Sequence, residues 1–180
     1  DGAFDITVGG LVNLWSFGPE ARPEKVPPED QLQERLAQIG PDKVELDIDA
    51  GRARRLSDVY VDLSAVAKGF GVDQVGDYLE EQGIENFLVD IGGELVLRGH
   101  RDDDGDPWRV GVEVPDEHRQ VAQYVLALTD MSVATSGDYR NYFEEDGKRY
   151  SHTIDPRTGR PVEHALASVT VLGETTAYAD

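Results

Sequence analysis

The apolar and polar positions of this chain fall into short runs whose period changes often. From Pro28 the pattern has helical spacing, with Leu32, Leu36 and Ile39 on one face, Pro28-Glu29-Asp30 suited to a first turn and Gly40 to an end. Val44–Ile48 alternates as a strand, and Asp49-Ala50-Gly51 makes a turn into the basic island Arg52, Arg54 and Arg55, which suits pairing with nearby acids. Val59–Leu63 reads as the next strand and runs into Ser64, a natural helix cap. A helix over about Ala65–Gln82 follows, closed by Gly83, with Val66, Phe70, Val75 and Leu79 as its expected packed face. Phe87–Ile91 and Glu94–Arg98 flank Gly92-Gly93, which predicts a hairpin, and Asp90 stands at the end of its first strand. Trp108–Val114, Gln123–Leu128 and Leu166–Leu172 read as further strands that extend the sheet.

Ser132–Val162 is the most chemically loaded stretch. Val133–Thr135 reads as the end of a buried strand, with a polar turn at Ser136-Gly137-Asp138 that brings backbone N–H groups close to a ligand. Three aromatics follow within Tyr139–Phe143, and Glu144-Glu145-Asp146-Gly147 predicts a hairpin tip. The returning strand, Arg149–Ile154, holds Ser151-His152-Thr153 and meets a rigid turn at Asp155–Pro161. On spacing alone His152 reads either as an acid/base group or as a satisfied structural histidine. Trp15 and Phe17 either stack on a ring or fill the core, and core packing suits Trp15 better.

Composition narrows the classes. The 180 residues suit one compact domain, and no apolar run approaches a membrane span. A formal charge of −19, from 36 acidic against 17 basic residues, argues against nucleic-acid partners. An acidic, Lys-poor surface suits a salty habitat, where repulsion is screened. With no cysteine there is neither a disulfide nor a thiolate ligand. The acidic run Asp102–Asp106 lacks the spacing of an EF-hand and reads as a solvent loop. Runs of strands with a few helices, and no Rossmann repeat, give an α+β class: a mostly antiparallel sheet with packed helices.

Three stretches carry a resemblance: GAFDITVGGLVNLWSFGP at the start, VDLSAVAKGFGVDQVGDYLEEQGIENFLVDIGGELVLRG from Val61, and ATSGDYRNYFEEDGKRYSHTIDPRTGRPV from Ala134. Together they resemble, in order and over about half the chain, the ApbE family of FAD:protein FMN transferases. That resemblance implies an ApbE-like fold and a single flavin transferase domain over residues 1–180, incomplete at both ends. It also implies Mg²⁺-dependent transfer of FMN from FAD to a Thr or Ser hydroxyl of a target protein, with AMP released. Two other readings stay open: a pyrophosphatase giving FMN and AMP, and a flavin-binding module without chemistry.

By resemblance, Ala3, Phe4, Asp5, Asp62, Lys68, Ser136, Gly137, Thr153 and Ile154 contact FAD, with Asp90 lining the same cleft. Ala65, through its carbonyl, and Asp180 hold Mg²⁺, together with a Thr expected four residues beyond Asp180. His152 is the expected base. Gly10 stands where relatives often carry Pro. The implied partners are target proteins bearing a flavinylated Thr or Ser, such as subunits of membrane redox complexes. The implied place is the periplasmic side of the bacterial inner membrane. This sequence contains no targeting segment, and membrane contact is expected only through an N-terminal anchor outside it.

Overall fold

The structure, a computed structural model, describes residues 2–20, 22–115, 121–139 and 141–180. It is α+β, with short helices and antiparallel strand pairs, and the chain divides into two compact units, each built from two stretches of sequence. Among the described residues no helix is long and apolar enough to cross a membrane.

The first unit takes Asp1–Leu63 and Arg140–Ala165. Helices α1 (Gly9–Leu14) and α2 (Glu29–Leu36) close on Trp15, Leu11, Leu14, Leu32 and Phe143 as one apolar core. Trp15 is fully buried, and its indole N–H donates to the Gly159 carbonyl at 2.7 Å. A buried indole needs such an acceptor, so the turn after His152 is tied to the core. Phe143 and Tyr150 stack beside Trp15, which absorbs two of the aromatics near the hairpin. Helix α2 ends at Leu36, earlier than the spacing suggests, although Leu36 and Ile39 still pack on that core.

Hairpin β1–β2 (Val44–Asp47, Arg52–Arg55) is exposed, and Arg54 pairs with Glu45 across it at 2.6 Å. Strands β8 (Tyr142–Glu145) and β9 (Lys148–Ser151) form the expected hairpin with Asp146-Gly147 at its tip, both at positive φ. Arg140, within the aromatic run, lies outside the described residues. The returning strand does not run unbroken to Ile154: it stops at Ser151, and β10 (Ile154–Asp155) pairs separately with β11 (Arg160–Pro161). Val59–Leu63 is not a strand either. The N–H of Asp62 bonds the Ile6 carbonyl at 2.7 Å, and a lone bond of that kind is not a ladder.

The second unit takes Ser64–Tyr139 and Leu166–Asp180. Its sheet runs β12-β7-β4-β3, that is Ser168–Gly173, Met131–Gly137, Glu94–Arg98 and Phe87–Ile91, antiparallel throughout. Strands β5 (Trp108–Glu113) and β6 (Ala122–Leu128) pair as a two-stranded sheet of their own instead of extending it. Their Val110 and Trp108 pack with Leu97 and Val133. Helix α3 spans Ser64–Glu81, close to expectation, with Gly83 at φ 76° after it.

The packed face of α3 differs from the expected one. Gly69, Val72 and Gly76 are buried, with Leu79 packed beside them, while Phe70 and Val75 are exposed. The glycines permit the approach: a Cβ on Gly76 would stand 3.0 Å from Val96, and one on Gly69 only 2.5 Å from the Thr176 carbonyl. A pattern built on bulky residues passes over a helix that docks by its smallest ones. Helix α4 (Thr176–Ala179) sits in that second gap.

Candidate functional site

The second unit gathers three of the expected residues, Ala65, Lys68 and Asp180, around the start of α3. Ser64 is the first helical residue, so Lys68 opens the second turn. The N–H of Gly69 donates to Asp180 Oδ2 at 2.9 Å. In an α-helix that same N–H points at the carbonyl four residues back, which is Ala65. The Asp180 carboxylate thus meets the same helix start that carries Ala65, the other expected cation ligand.

Three contacts hold α4 there. Asp73 takes the Thr176 N–H on one oxygen and the Ala177 N–H on the other, both at 2.8 Å, which satisfies two of the helix's unpaired donors. Thr176 Oγ1 donates to the Leu95 carbonyl at 3.1 Å, and Thr175 caps the helix by accepting from Tyr178 N–H. Asp73 escaped the sequence reading. Its signal was a lone carboxylate on the same helix side as the two buried glycines, at i+4 from Gly69.

Lys68 meets Glu94, the first residue of β4, with Nζ 2.5 Å from Oε1. Glu94 was not singled out either, although it shares strand parity with the buried Val96, which assigns it to the interior. Asp90 is exposed, and its Oδ1 accepts the Gly93 N–H at 3.0 Å, so it closes the Gly92-Gly93 turn. Ser136 and Gly137 are not in a turn: β7 continues through them, paired with Val169 and Ser168 of β12. Their backbone is committed to that strand pairing, whereas Ser136 is exposed on its surface.

The first unit gathers the rest. Ala3 and Phe4 are exposed, and Asp5 Oδ1 accepts from both the N–H (2.8 Å) and the hydroxyl (2.6 Å) of Thr7. The bond from Asp62 to Ile6 brings Asp62 beside this segment. His152, Thr153 and Ile154 follow in line: the Thr153 carbonyl accepts from Val162 N–H, and Ile154 pairs with Pro161.

His152 makes two bonds to the Asn141 carbonyl, from its backbone N–H at 3.1 Å and from ring Nδ1 at 3.2 Å. A carbonyl only accepts, so Nδ1 carries the proton in that bond and the neutral ring keeps its lone pair on Nε2. Phe17 meets the ring edge-on at 6.3 Å between centroids. After the histidine, Arg157 forks onto Asp155 with contacts of 2.9 and 2.7 Å. These side-chain bonds, and then the Arg157 N–H, hold the Asp155 carboxyl below its ordinary value. An open pocket of about 180 Å³ in the same unit, lined by Thr7, Arg22, Arg35, Arg55 and Tyr60 among others, includes none of the expected residues.

Among the described residues no three His, Cys, Asp or Glu side chains cluster to hold a metal. One carboxylate with one carbonyl nevertheless fits a magnesium ion, a hard cation that keeps several waters and takes few protein ligands.

The sequence profile of the ApbE family matches residues 1–180. The FAD:protein FMN transferase of Haemophilus influenzae is 51% identical over 184 residues, covering 100% of this chain and 53% of that protein. The protein of the same name from Vibrio cholerae is 51% identical over 180 residues, again covering 100% and 53%. The structure of the Vibrio cholerae flavin transferase ApbE superposes with a TM-score of 0.86 at 48% identity, covering 99% of this chain and 56% of that one. The chain thus spans about half the length of the curated relatives it matches. Matched from its first residue to its last, this chain belongs to the ApbE family.

Proposed function

We propose that residues 1–180, as one functional domain, carry the transfer of FMN from FAD to a Thr or Ser hydroxyl of a target protein, with release of AMP. The observation that carries this reading is the 51% identity, along the whole chain, to proteins named FAD:protein FMN transferase. The target hydroxyl oxygen forms a bond to the phosphorus of the FMN half, the bond to the AMP half breaks, and AMP leaves with the electron pair. His152 takes the hydroxyl proton on Nε2, the atom left basic by the Asn141 contact. Lys68 supports the phosphate charge, and Asp62 with the Ala3–Asp5 segment orients the dinucleotide.

Asp180 and the Ala65 carbonyl would hold Mg²⁺. A Mg²⁺ ion there supplies charge neutralisation on the pyrophosphate and the leaving phosphate. The nucleophile belongs to the target, which accords with a chain that has no cysteine and no G-x-S-x-G elbow. The same reading puts the protein on the periplasmic side of the inner membrane, acting on subunits of membrane redox complexes. Incubation with FAD, Mg²⁺ and a Thr-bearing target peptide tests it. A peptide heavier by one FMN marks transfer; free FMN with AMP marks hydrolysis, and intact FAD marks binding alone.

A further inference from the structure

We propose that Glu94 is the positioning residue of Lys68, holding its ammonium ready for the pyrophosphate of the bound dinucleotide; this rests on the reading that Lys68 meets that group.

The pair is asymmetric. The Glu94 side chain is 2% exposed and that of Lys68 47%, so the carboxylate anchors from inside and the ammonium stands at the surface. Strand alternation turns Glu94 inward, because it follows the parity of Val96, which packs on Val72 of α3. The Lys68 stem is placed as well: a Cβ on Gly92 would stand 3.6 Å from its Cδ, so the stem lies along the Gly92-Gly93 turn. Of the three N–H donors of the ammonium, one meets Glu94 Oε1, leaving two for anionic oxygens.

Stability does not explain Glu94. Among the described residues its Oε2 is buried without a partner, and an unsatisfied buried carboxylate oxygen costs free energy. Ion pairs with one member inside are often neutral or unfavourable beside a neutral isostere. Fixing a lysine costs side-chain entropy, and a side chain already fixed does not meet that cost again when ligand binds. The buried charge therefore acts through placement.

Charge and placement predict opposite signs. By Coulomb attraction alone, Glu94→Gln removes a negative charge near an anionic ligand and should tighten FAD binding. If Glu94 positions Lys68, the same change should weaken it.

The test is FAD titration, followed by flavin fluorescence, of the whole protein with Lys68→Ala, Glu94→Gln and the double variant, each also melted. The expected result is a melting temperature for Glu94→Gln at or above the parent's, with FAD affinity down roughly tenfold, the scale of one charged hydrogen bond. The double variant should bind no worse than Lys68→Ala alone. If Glu94→Gln does not fold, Glu94→Asp, which keeps the charge on a shorter arm, should give an intermediate loss that also vanishes in the Lys68→Ala background. Affinity unchanged or tighter in the Glu94 variant, or losses that simply add, would overturn the proposal while leaving the role of Lys68 intact. Unchanged affinity in Lys68→Ala would instead remove the underlying reading, and this inference with it.

Discussion

The Asp180 carboxylate accepts the N–H of Gly69, five residues after the start of α3, at 2.9 Å. This ties the far end of the chain to the helix that carries Ala65 and Lys68, and it depends on Gly69 having no side chain. A Cβ there would stand 2.5 Å from the Thr176 carbonyl, a distance the backbone cannot absorb without moving α4.

Gly69→Ala should therefore be destabilising, even though Ala is the better helix former by about 1 kcal/mol. Overpacking of this kind costs about 1–3 kcal/mol, so the clash outweighs the propensity. Thermal melting gives the sign, and Mn²⁺ titration by electron paramagnetic resonance should show weaker cation binding. A variant that melted higher and bound Mn²⁺ as before would mean that α4 does not rest on Gly69.

Asp73 supports the same element one turn further along α3. In Asp73→Asn one of the two α4 N–H groups faces an amide NH₂ instead of an oxygen, and a buried donor left unpaired costs about 1–3 kcal/mol. Urea unfolding should show that loss, and Asp73→Ala, which abandons both donors, a larger one. Equal stability of the two variants would mean that only one of the bonds matters.

The sequence disclosed elements better than faces. The α3 boundaries, the Gly92-Gly93 hairpin and the Asp146-Gly147 tip were legible because local chemistry marks them: a hydroxyl residue at the start, glycines at the turns. The face of α3 was not, because glycines contribute contact without hydrophobicity. Ser136 and Gly137 looked like a turn from composition, yet register with β12 keeps them in a strand, and register is a non-local property. Among the candidate site residues, the His152, Asp180 and Lys68 positions came from the motif, whereas Glu94 and Asp73 needed three dimensions. Each is one carboxylate whose meaning lies in which N–H or ammonium it meets.

The turn after His152 should carry a pH signature. The Arg157 guanidinium and N–H hold the Asp155 carboxyl below its unfolded value of about 3.9. A group shifted down stabilises the fold fully above its unfolded pKa, and that contribution fades as pH falls through the folded value. Stability measured from about pH 5 down to about pH 2.5 should fall more steeply in the parent than in Asp155→Asn, which has no charge to lose. Parallel curves would show the fork to be energetically silent, as many exposed pairs are.

His152 gives the sharpest separation between a structural and a chemical role. Its ring is half-buried, edge-on to Phe17, with one ring hydrogen bond among the described residues, to the Asn141 carbonyl. Losing that bond and contact costs about 1 kcal/mol, so His152→Ala should melt close to the parent. Losing a positioned base costs about 10²–10⁴-fold in rate, roughly 3–5 kcal/mol of barrier, and FMN transfer should fall by that order. The deficit should shrink at high pH, where the target hydroxyl loses its proton to solvent more readily. A variant that melts far earlier yet transfers FMN at near-normal rate in the cold would make His152 structural. The proton would then need another acceptor, and Asp155, close after His152 in sequence, is a poor one. The Arg157 fork that lowers its pKa also lowers its basicity.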